Sequence, residues 1–190
     1  MPQHFTLATI DAAGALLRDG GVVAYPTEAV FGLGCDPQDR AAFERLFALK
    51  QRPPLQGVLL IAADFDQVEQ YIAHALVPPA VMQRVRASWP GANTWVFPRS
   101  TRVPNWVAGA HAGIALRVTA HPAAAALCRA FGGALVSTSA NPHGESPARS
   151  AHAVEQFFGE ALDGLLDAPL GGASSPTMIR DALSGTIIRS

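Results

Sequence analysis

The stretch IALRVTAHPAAAALCRAFGGALVSTSAN, residues 114–141, carries the pattern that decides the fold class. Residues 114–118 and 134–136 are short apolar runs of the kind that form buried strands. The alanine-rich segment between them, Pro122–Phe131, predicts a helix. A strand, a helix and a second strand in this order are typical of an α/β domain with a mixed sheet.

The same alternation extends to both sides of this stretch. Further helices are predicted at residues 10–18, 39–49, 66–74, 79–88 and 151–158, and further strands at 21–25, 58–62 and 94–97. Loops are predicted at 101–113 and, as a polar turn, at 137–150, and the tail from residue 165 alternates short strand candidates with glycine, serine and proline. No shift in composition marks a boundary, so residues 1–190 are predicted to form a single domain.

The composition excludes several classes of protein. The 190 residues are 49% hydrophobic and 15% charged, which is too apolar for a disordered chain. Apolar runs such as residues 57–63 are far shorter than the roughly 18 residues of a membrane span. The N-terminus lacks the pattern of a secretion signal, and Cys35 and Cys128 read as half-buried thiols in a reducing compartment. We therefore expect a soluble cytoplasmic protein without membrane association.

Several common functional motifs are missing from the sequence. The formal charge of −1 argues against extensive coating of nucleic acid. The single lysine, Lys50, is followed by Gln51 rather than by the serine or threonine of a P-loop. Residues 32–37 begin like a dinucleotide-binding loop but have proline where the third glycine belongs. Without a nucleophile elbow, or histidines at ligand spacing, neither a hydrolase triad nor protein ligands for a metal are expected.

Two polar features near the N-terminus suggest ligand binding. Thr27 and Glu28 follow a strand that ends at Pro26, and taken alone they are better explained as an ordinary turn. Lys50 and Arg52 stand at the end of the helix at 39–49 and are followed by two prolines. A lysine paired with an arginine suits the clamping of phosphates, whereas the alternative is a pair of cations that complements the helix dipole.

Two further polar features lie in the decisive stretch itself. Ser137, Ser139 and Asn141 follow the strand at 134–136, at the carboxyl end where open α/β sheets bind ligands. The alternative is a simple polar turn. Arg117 interrupts an apolar strand, which is costly unless an anion or a carboxylate pairs with it. That partner could be a substrate or an acidic side chain of the protein.

Together these features resemble the YrdC/TsaC family of threonylcarbamoyl-AMP synthases, in its short bacterial form. The resemblance rests on Tyr-Pro-Thr-Glu-Ala-Val-Phe-Gly at 25–32, Leu-Lys-Gln-Arg-Pro at 49–53, Trp-Pro-Gly at 89–91, Leu-Arg-Val-Thr-Ala-His-Pro at 116–122, Ser-Thr-Ser-Ala-Asn at 137–141 and Ile-Arg-Asp-Ala-Leu-Ser-Gly at 179–185. It implies a twisted, mixed but mostly parallel sheet with flanking helices and a large concave basic cavity.

The resemblance also implies a nucleotidyltransferase reaction. Such enzymes join L-threonine, bicarbonate (or CO2) and ATP into threonylcarbamoyl-adenylate and release pyrophosphate. The product serves the threonylcarbamoyladenosine modification of tRNA at adenosine 37. Carried over by motif, the residues expected to bind threonine are Thr27, Arg117, Ser137 and Thr177. The residues expected to bind the nucleotide are Lys50, Arg52, Ser139, Asn141 and Arg189, the first four of them catalytic.

This chemistry needs no nucleophile from the protein. A carbamate oxygen of the substrate attacks the α-phosphorus of ATP, so positioning and positive charge carry the catalysis. The sequence has no acidic cluster, and Mg²⁺ is expected to arrive on the phosphates. Other proteins are expected to transfer the threonylcarbamoyl group to tRNA, and a secondary affinity for tRNA is expected of this chain.

The chain departs from the family pattern in several places. The apolar run around Ile61 replaces a histidine found in longer relatives. Gln56 stands where some relatives have a second lysine, and Glu145-Ser146-Pro147 replaces a Pro-Ser pair. A non-catalytic RNA-binding or ribosome-maturation module using the same cavity is the alternative function. The related domain of hydrogenase-maturation carbamoyl transferases occurs in much longer chains with cysteine clusters that this sequence lacks.

Overall fold

Helices and strands alternate along the computed structural model, which describes residues 1–51, 57–175 and 177–189. The helices are α1 (Ile10–Arg18), α2 (Arg40–Lys50), α3 (Asp66–Glu69), α4 (Pro79–Ala87), α5 (Asn105–Ala108), α6 (Pro122–Phe131) and α7 (Ala151–Phe158). The strands are β1 (Gln3–Phe5), β2 (Val23–Pro26), β3 (Phe31–Gly34), β4 (Leu59–Ala62), β5 (Asn93–Pro98), β6 (Gly113–Val118), β7 (Leu135–Ser139), β8 (Gly164–Leu166), β9 (Met178–Asp181) and β10 (Ile187–Arg189).

These strands form one sheet in the order β1-β8-β2-β3-β7-β4-β6-β5-β9-β10. The predicted mixed sheet with flanking helices is therefore confirmed. The expectation of a mostly parallel sheet is wrong for the described strands, because four neighbouring pairs are parallel and five are antiparallel. Short connections such as the hairpin between β2 and β3 force antiparallel pairing, since a parallel pair needs a long crossover.

Strand β7 joins the two halves of the sheet. Leu135, Val136 and Ser137 pair with β4 on one side, whereas Thr138 and Ser139 pair with β3 on the other. The strand thus continues through Ser139, where the sequence predicts that the polar turn has already begun. Its pairing with Gly32 and Leu33 extends it, and such a long-range contact leaves no local signal.

Side-chain caps fix where several helices begin. Asp39 accepts a hydrogen bond from the backbone N–H of Ala42 at 3.1 Å at the start of α2. Ser150 caps α7 in the same way through the N–H of Ala153, at 3.1 Å. Gln51, the residue directly after α2, has a left-handed conformation with φ of 51°. The caps at Asp39 and Gln51 thus bound α2 and place Lys50 in its last turn.

Two apolar clusters lie on opposite faces of the sheet, because side chains alternate along each strand. In β4, Leu60 belongs to the larger cluster, whereas Ile61 belongs to the smaller one under α1 and α6. Both cysteines are fully buried rather than half-buried. Helices α1 and α6 pack against each other and cover only part of the sheet face on which the smaller cluster lies. In the described part of the chain, no helix combines the length and apolarity needed to span a bilayer.

Candidate functional site

A cavity of about 560 Å³ opens beside the carboxyl end of β7. Its polar lining includes Lys50, Ser137, Thr138, Ser139, Asn141 and Arg189. Its volume falls within the range of small-molecule sites, about 300–1,000 Å³. Four of the five residues expected to bind a nucleotide therefore face one cavity. The fifth, Arg52, lies outside the described residues, as does Gln56.

A smaller cavity of about 70 Å³ adjoins the large one. The two share Leu59, Arg189 and the three consecutive residues of β7 from Ser137 to Ser139. The residues expected to bind threonine all line the small cavity: Thr27, Arg117, Ser137 and Thr177. Residues from four separate regions of the chain thus meet at one point, next to the expected nucleotide cavity.

The pleat of the sheet explains the floor of the large cavity. Ser137 pairs with Leu59, Leu59 with Ala115, and Ala115 with Val96, so these residues form one row across four strands. The next row on the same face of the sheet includes Ile61, which lies in the apolar cluster under α1 and α6. The cavity therefore lies where the covering helices stop. The small side chain of Ala115 in the middle of the row leaves the space open.

Lys50 is buried, and its side chain points from α2 toward the end of β7. Its ammonium donates hydrogen bonds to the carbonyl oxygens of Ser139 and Asn141, the latter at 2.8 Å. Its own carbonyl accepts from the N–H of His143 at 2.8 Å. A cation that merely complemented the helix dipole would be exposed at the helix end. The observed burial favours the interpretation of Lys50 as a member of the site.

The segment after β7 is held in shape by Asn141. Its side-chain amide donates to the carbonyls of Pro142 and Glu145, at 3.0 and 2.7 Å. The divergent Glu145 is thus tied to Asn141 through its backbone carbonyl. The Oδ1 atom of Asn141 is buried and has no hydrogen-bond partner among the described residues.

Arg117 has an acidic side chain as its partner, which is one of the two interpretations of its position in an apolar strand. Its Nη1 donates to the hydroxyl of Thr177 at 3.0 Å, and its Nη2 lies 3.7 Å from Oε2 of Glu28. It is buried and also lines the small cavity. The ion pair with Glu28 is thus observed, and binding of a substrate anion stays a prediction.

Several residues in or beside the two cavities have no role predicted from the sequence. Thr94, in β5, contacts the Thr177 hydroxyl at 3.2 Å. His111 and His143 line the large cavity. Thr119 donates to Glu28 at 2.6 Å. A period-two reading of β6 could have placed Thr119 on the same face as Arg117, whereas the two histidines carry no local signal.

Burial keeps two thiols and one phenol of the core neutral. Burial raises the pKa of the Cys35 thiol strongly and that of Cys128 to about 12. It also raises the pKa of the Tyr25 phenol, beside β3. None of these groups is a nucleophile at neutral pH. Among the described residues, no group of three or more histidine, cysteine, aspartate or glutamate residues could hold a metal.

A family model and two named relatives match this chain over most of its length. A family model named Sua5_yciO_yrdC, described as "Telomere recombination", matches residues 15–190. The chain is 54% identical over 182 residues to a protein of Stenotrophomonas maltophilia named threonylcarbamoyl-AMP synthase, covering 96% of this chain and 98% of that one. A protein of the same name from Halorhodospira halophila is 56% identical over 177 residues, covering 93% of this chain and 92% of the other.

Solved structures agree with the fold. The structure of P. abyssi Sua5 complexed with L-threonine superposes with a TM-score of 0.87 at 28% identity. That match covers 95% of this chain and 54% of the Sua5 chain, so this chain spans about half the length of that protein. E. coli YciO superposes with a TM-score of 0.86 at 24% identity, covering 100% of this chain and 96% of YciO.

Proposed function

Since the chain belongs to the Sua5/YciO/YrdC family, we propose that it catalyses the synthesis of threonylcarbamoyl-AMP from L-threonine, bicarbonate or CO2, and ATP. One observation carries the proposal. The expected threonine-binding residues and the described nucleotide-binding residues line two adjoining cavities that share Ser137, Thr138 and Ser139. A carbamate formed in the small cavity therefore lies beside the phosphates of a nucleotide in the large one.

In this proposal the small cavity binds the amino acid. The Arg117 guanidinium pairs with the threonine carboxylate, because a buried cation attracts a carboxylate strongly. Thr27 and Ser137 offer polar groups beside it, and Thr177 holds Arg117 through its hydroxyl. The volume of about 70 Å³ is too small for a nucleotide.

The large cavity binds ATP in the same proposal. Lys50 and Arg189 supply positive charge, and Ser139 and Asn141 supply hydrogen-bonding groups. Arg52 follows Lys50 by two residues and is assigned to the phosphates by its motif. No described residue lining this cavity is acidic, which suits a polyanionic ligand.

The reaction requires positioning and charge neutralisation. The carbamate oxygen attacks the α-phosphorus and pyrophosphate leaves, so two anions must approach each other. Lys50, with Arg52, would neutralise the charge that develops on the leaving group. Mg²⁺ bound to the phosphates would supply further neutralisation, since the described residues offer no cluster of ligands of their own.

The proposal also covers the domain organisation of the chain, its location and its partners. Residues 1–190 act as a single domain in the cytoplasm, and other proteins pass the threonylcarbamoyl group to adenosine 37 of tRNA. A secondary affinity for tRNA accompanies the synthesis. The alternative of a non-catalytic RNA module is not favoured, because relatives similar over nearly the whole chain are named threonylcarbamoyl-AMP synthase.

The decisive experiment incubates the purified protein with ATP, Mg²⁺, bicarbonate and isotopically labelled L-threonine. We expect labelled threonylcarbamoyl-adenylate, by mass spectrometry, together with one pyrophosphate per product. Omission of bicarbonate or threonine should abolish both signals. A protein that binds ATP but forms no adenylate would refute the proposal. Filter binding of tRNA that is unaffected by excess ATP would instead favour a separate RNA role.

A further inference from the structure

Glu28 is a buried carboxylate that faces Arg117 but does not line either cavity. It belongs to the Pro-Thr-Glu turn between β2 and β3, where the preceding Thr27 enters the small cavity. The proposed reaction as described above gives Glu28 no role. A buried carboxylate is costly unless it is paired, so its position requires an explanation.

We propose that Glu28 is a positioning residue for Arg117 and sets the affinity of the small cavity for the threonine carboxylate. This inference rests on the proposed function. The first observation is the distance of 3.7 Å between Nη2 of Arg117 and Oε2 of Glu28. It exceeds the 2.7–2.9 Å of a charge-assisted hydrogen bond, so the pair attracts without a hydrogen bond. Glu28 thereby holds the guanidinium without using up its donors.

The second observation is that Glu28 itself is fixed from the other side. The hydroxyl of Thr119 donates to its Oε1 at 2.6 Å. That hydroxyl accepts the backbone N–H of His121 at 3.0 Å, so its proton is directed at Glu28. Oε2 has no hydrogen-bond partner among the described residues and is left to face Arg117.

The third observation is that the backbone of Glu28 cannot shift easily. Its carbonyl accepts from the N–H of Ala173 at 2.8 Å, and the neighbouring Thr27 carbonyl accepts from Gly171 at 3.0 Å. A Cβ on Gly171 would lie 2.9 Å from Cα of Glu28, so this loop packs directly on the turn. Thr177 holds Nη1 of Arg117 from the other direction. The guanidinium is therefore located from two sides, with the cavity beside it.

The alternative to a positioning role is that Glu28 competes with the substrate carboxylate for Arg117. If Glu28 mainly competed, its neutralisation would strengthen threonine binding. If it positions Arg117, its neutralisation lets the guanidinium move and weakens binding, since small misplacements of a binding group are costly. Competition and positioning therefore predict opposite changes in threonine affinity when Glu28 is neutralised.

The test uses Glu28→Gln, Thr119→Val and the matched control Thr119→Ser, which keeps the hydroxyl. We expect Glu28→Gln and Thr119→Val to raise the KM for threonine about 10-fold or more, while the KM for ATP stays within about 2-fold of wild type. Thr119→Ser should behave as wild type. Calorimetric titration with L-threonine should show the same loss of affinity without turnover, and thermal melts report the folded fraction.

Thr119→Val retains the Glu28 charge, so it remains informative if Glu28→Gln fails to fold. An unchanged or lower threonine KM in a folded Glu28→Gln or Thr119→Val variant would overturn the inference, as would equal impairment of Thr119→Val and Thr119→Ser. Wild-type protein that neither binds threonine nor forms the adenylate would instead refute the proposed function.

Discussion

The replacement of Lys50 by methionine tests the role of the chain's single lysine. Methionine keeps an unbranched stem of similar size but removes the ammonium that donates to the carbonyls of Ser139 and Asn141. The substitution therefore has two separable consequences. It weakens the link between α2 and the segment after β7, and it removes positive charge from the large cavity.

The structural cost follows from the burial of Lys50, which is 4% exposed. Hydrogen bonds to charged groups contribute about 1.5–3 kcal/mol each, and unpaired carbonyls incur a penalty of similar size. Because those carbonyls lie at the edge of a cavity that water can enter, we expect a net loss of about 3 kcal/mol. For a chain of this length that corresponds to a melting temperature lower by about 6–12 °C.

The catalytic cost is larger. Removing one group that stabilises charge developing in the transition state lowers kcat by about 10²–10³-fold. We expect a loss of this size in adenylate synthesis at saturating substrates, with the threonine KM little changed because Lys50 does not line the small cavity. A coupled pyrophosphate assay measures both constants at a temperature well below the melting transition.

The matched control is Arg45→Met, on the same helix. Arg45 donates to the carbonyl of Gly20 at 3.3 Å and pairs with Asp163 at 2.5 Å, but it lines neither cavity. This variant should lose stability and keep its kcat. A folded Lys50→Met protein with wild-type kcat would remove Lys50 from the catalytic site, and an equal kcat loss in the control would show that both effects are structural.

Three further predictions follow from the site and the core. Arg117→Met should raise the threonine KM by at least about 100-fold, because it removes the carboxylate partner, and should leave nucleotide binding measured by calorimetry unchanged. Ala115→Leu should raise the KM for ATP about 10-fold by filling the floor of the large cavity, whereas unchanged nucleotide affinity would place the nucleotide elsewhere. Cys35 and Cys128 should resist a thiol reagent at pH 8 in the folded protein, because burial raises their pKa values well above that pH. Both should react after denaturation, and labelling of the native protein would contradict this prediction.

The helices of the chain are readable from its sequence because their signals are local. The predicted bounds of α1, α6 and α7 agree with the structure residue for residue. The predicted helix at 66–74 is wrong beyond its first turn, since α3 ends at Glu69 and a 3₁₀ turn occupies His74–Leu76. Helix α5 lies within the predicted loop at 101–113, and its four residues are too short to show a period.

The strands are less readable because their stability comes from partners distant in sequence. Strand β3 is not among the predicted strands, and glycines at two of its four positions, Gly32 and Gly34, weaken the strand signal. Gly34 is instead required by close packing, because a Cβ there would lie 2.8 Å from both the Tyr25 ring and the Val136 carbonyl. Strand β1 was not predicted at all, and its pairing with β8 joins residues about 160 positions apart.

The members of the candidate site were predicted by motif, and their meeting place comes from the sheet. Neither Thr177 nor Arg189 has a local signal that brings it to Arg117 or Ser139. The pairing of β9 with β5 and of β10 with β9 does so. The roles of these residues remain predictions, and the positions of Thr27, Arg117, Ser137 and Thr177 around one cavity support them.

The most direct test of the account is a crystal structure of the protein with L-threonine and a non-hydrolysable ATP analogue. We predict threonine in the small cavity with its carboxylate on Arg117, and the triphosphate in the large cavity beside Lys50. The threonine nitrogen should face the α-phosphate across the Ser137–Ser139 segment of β7. Threonine bound away from Arg117, or a nucleotide whose phosphates lie outside the large cavity, would contradict the account.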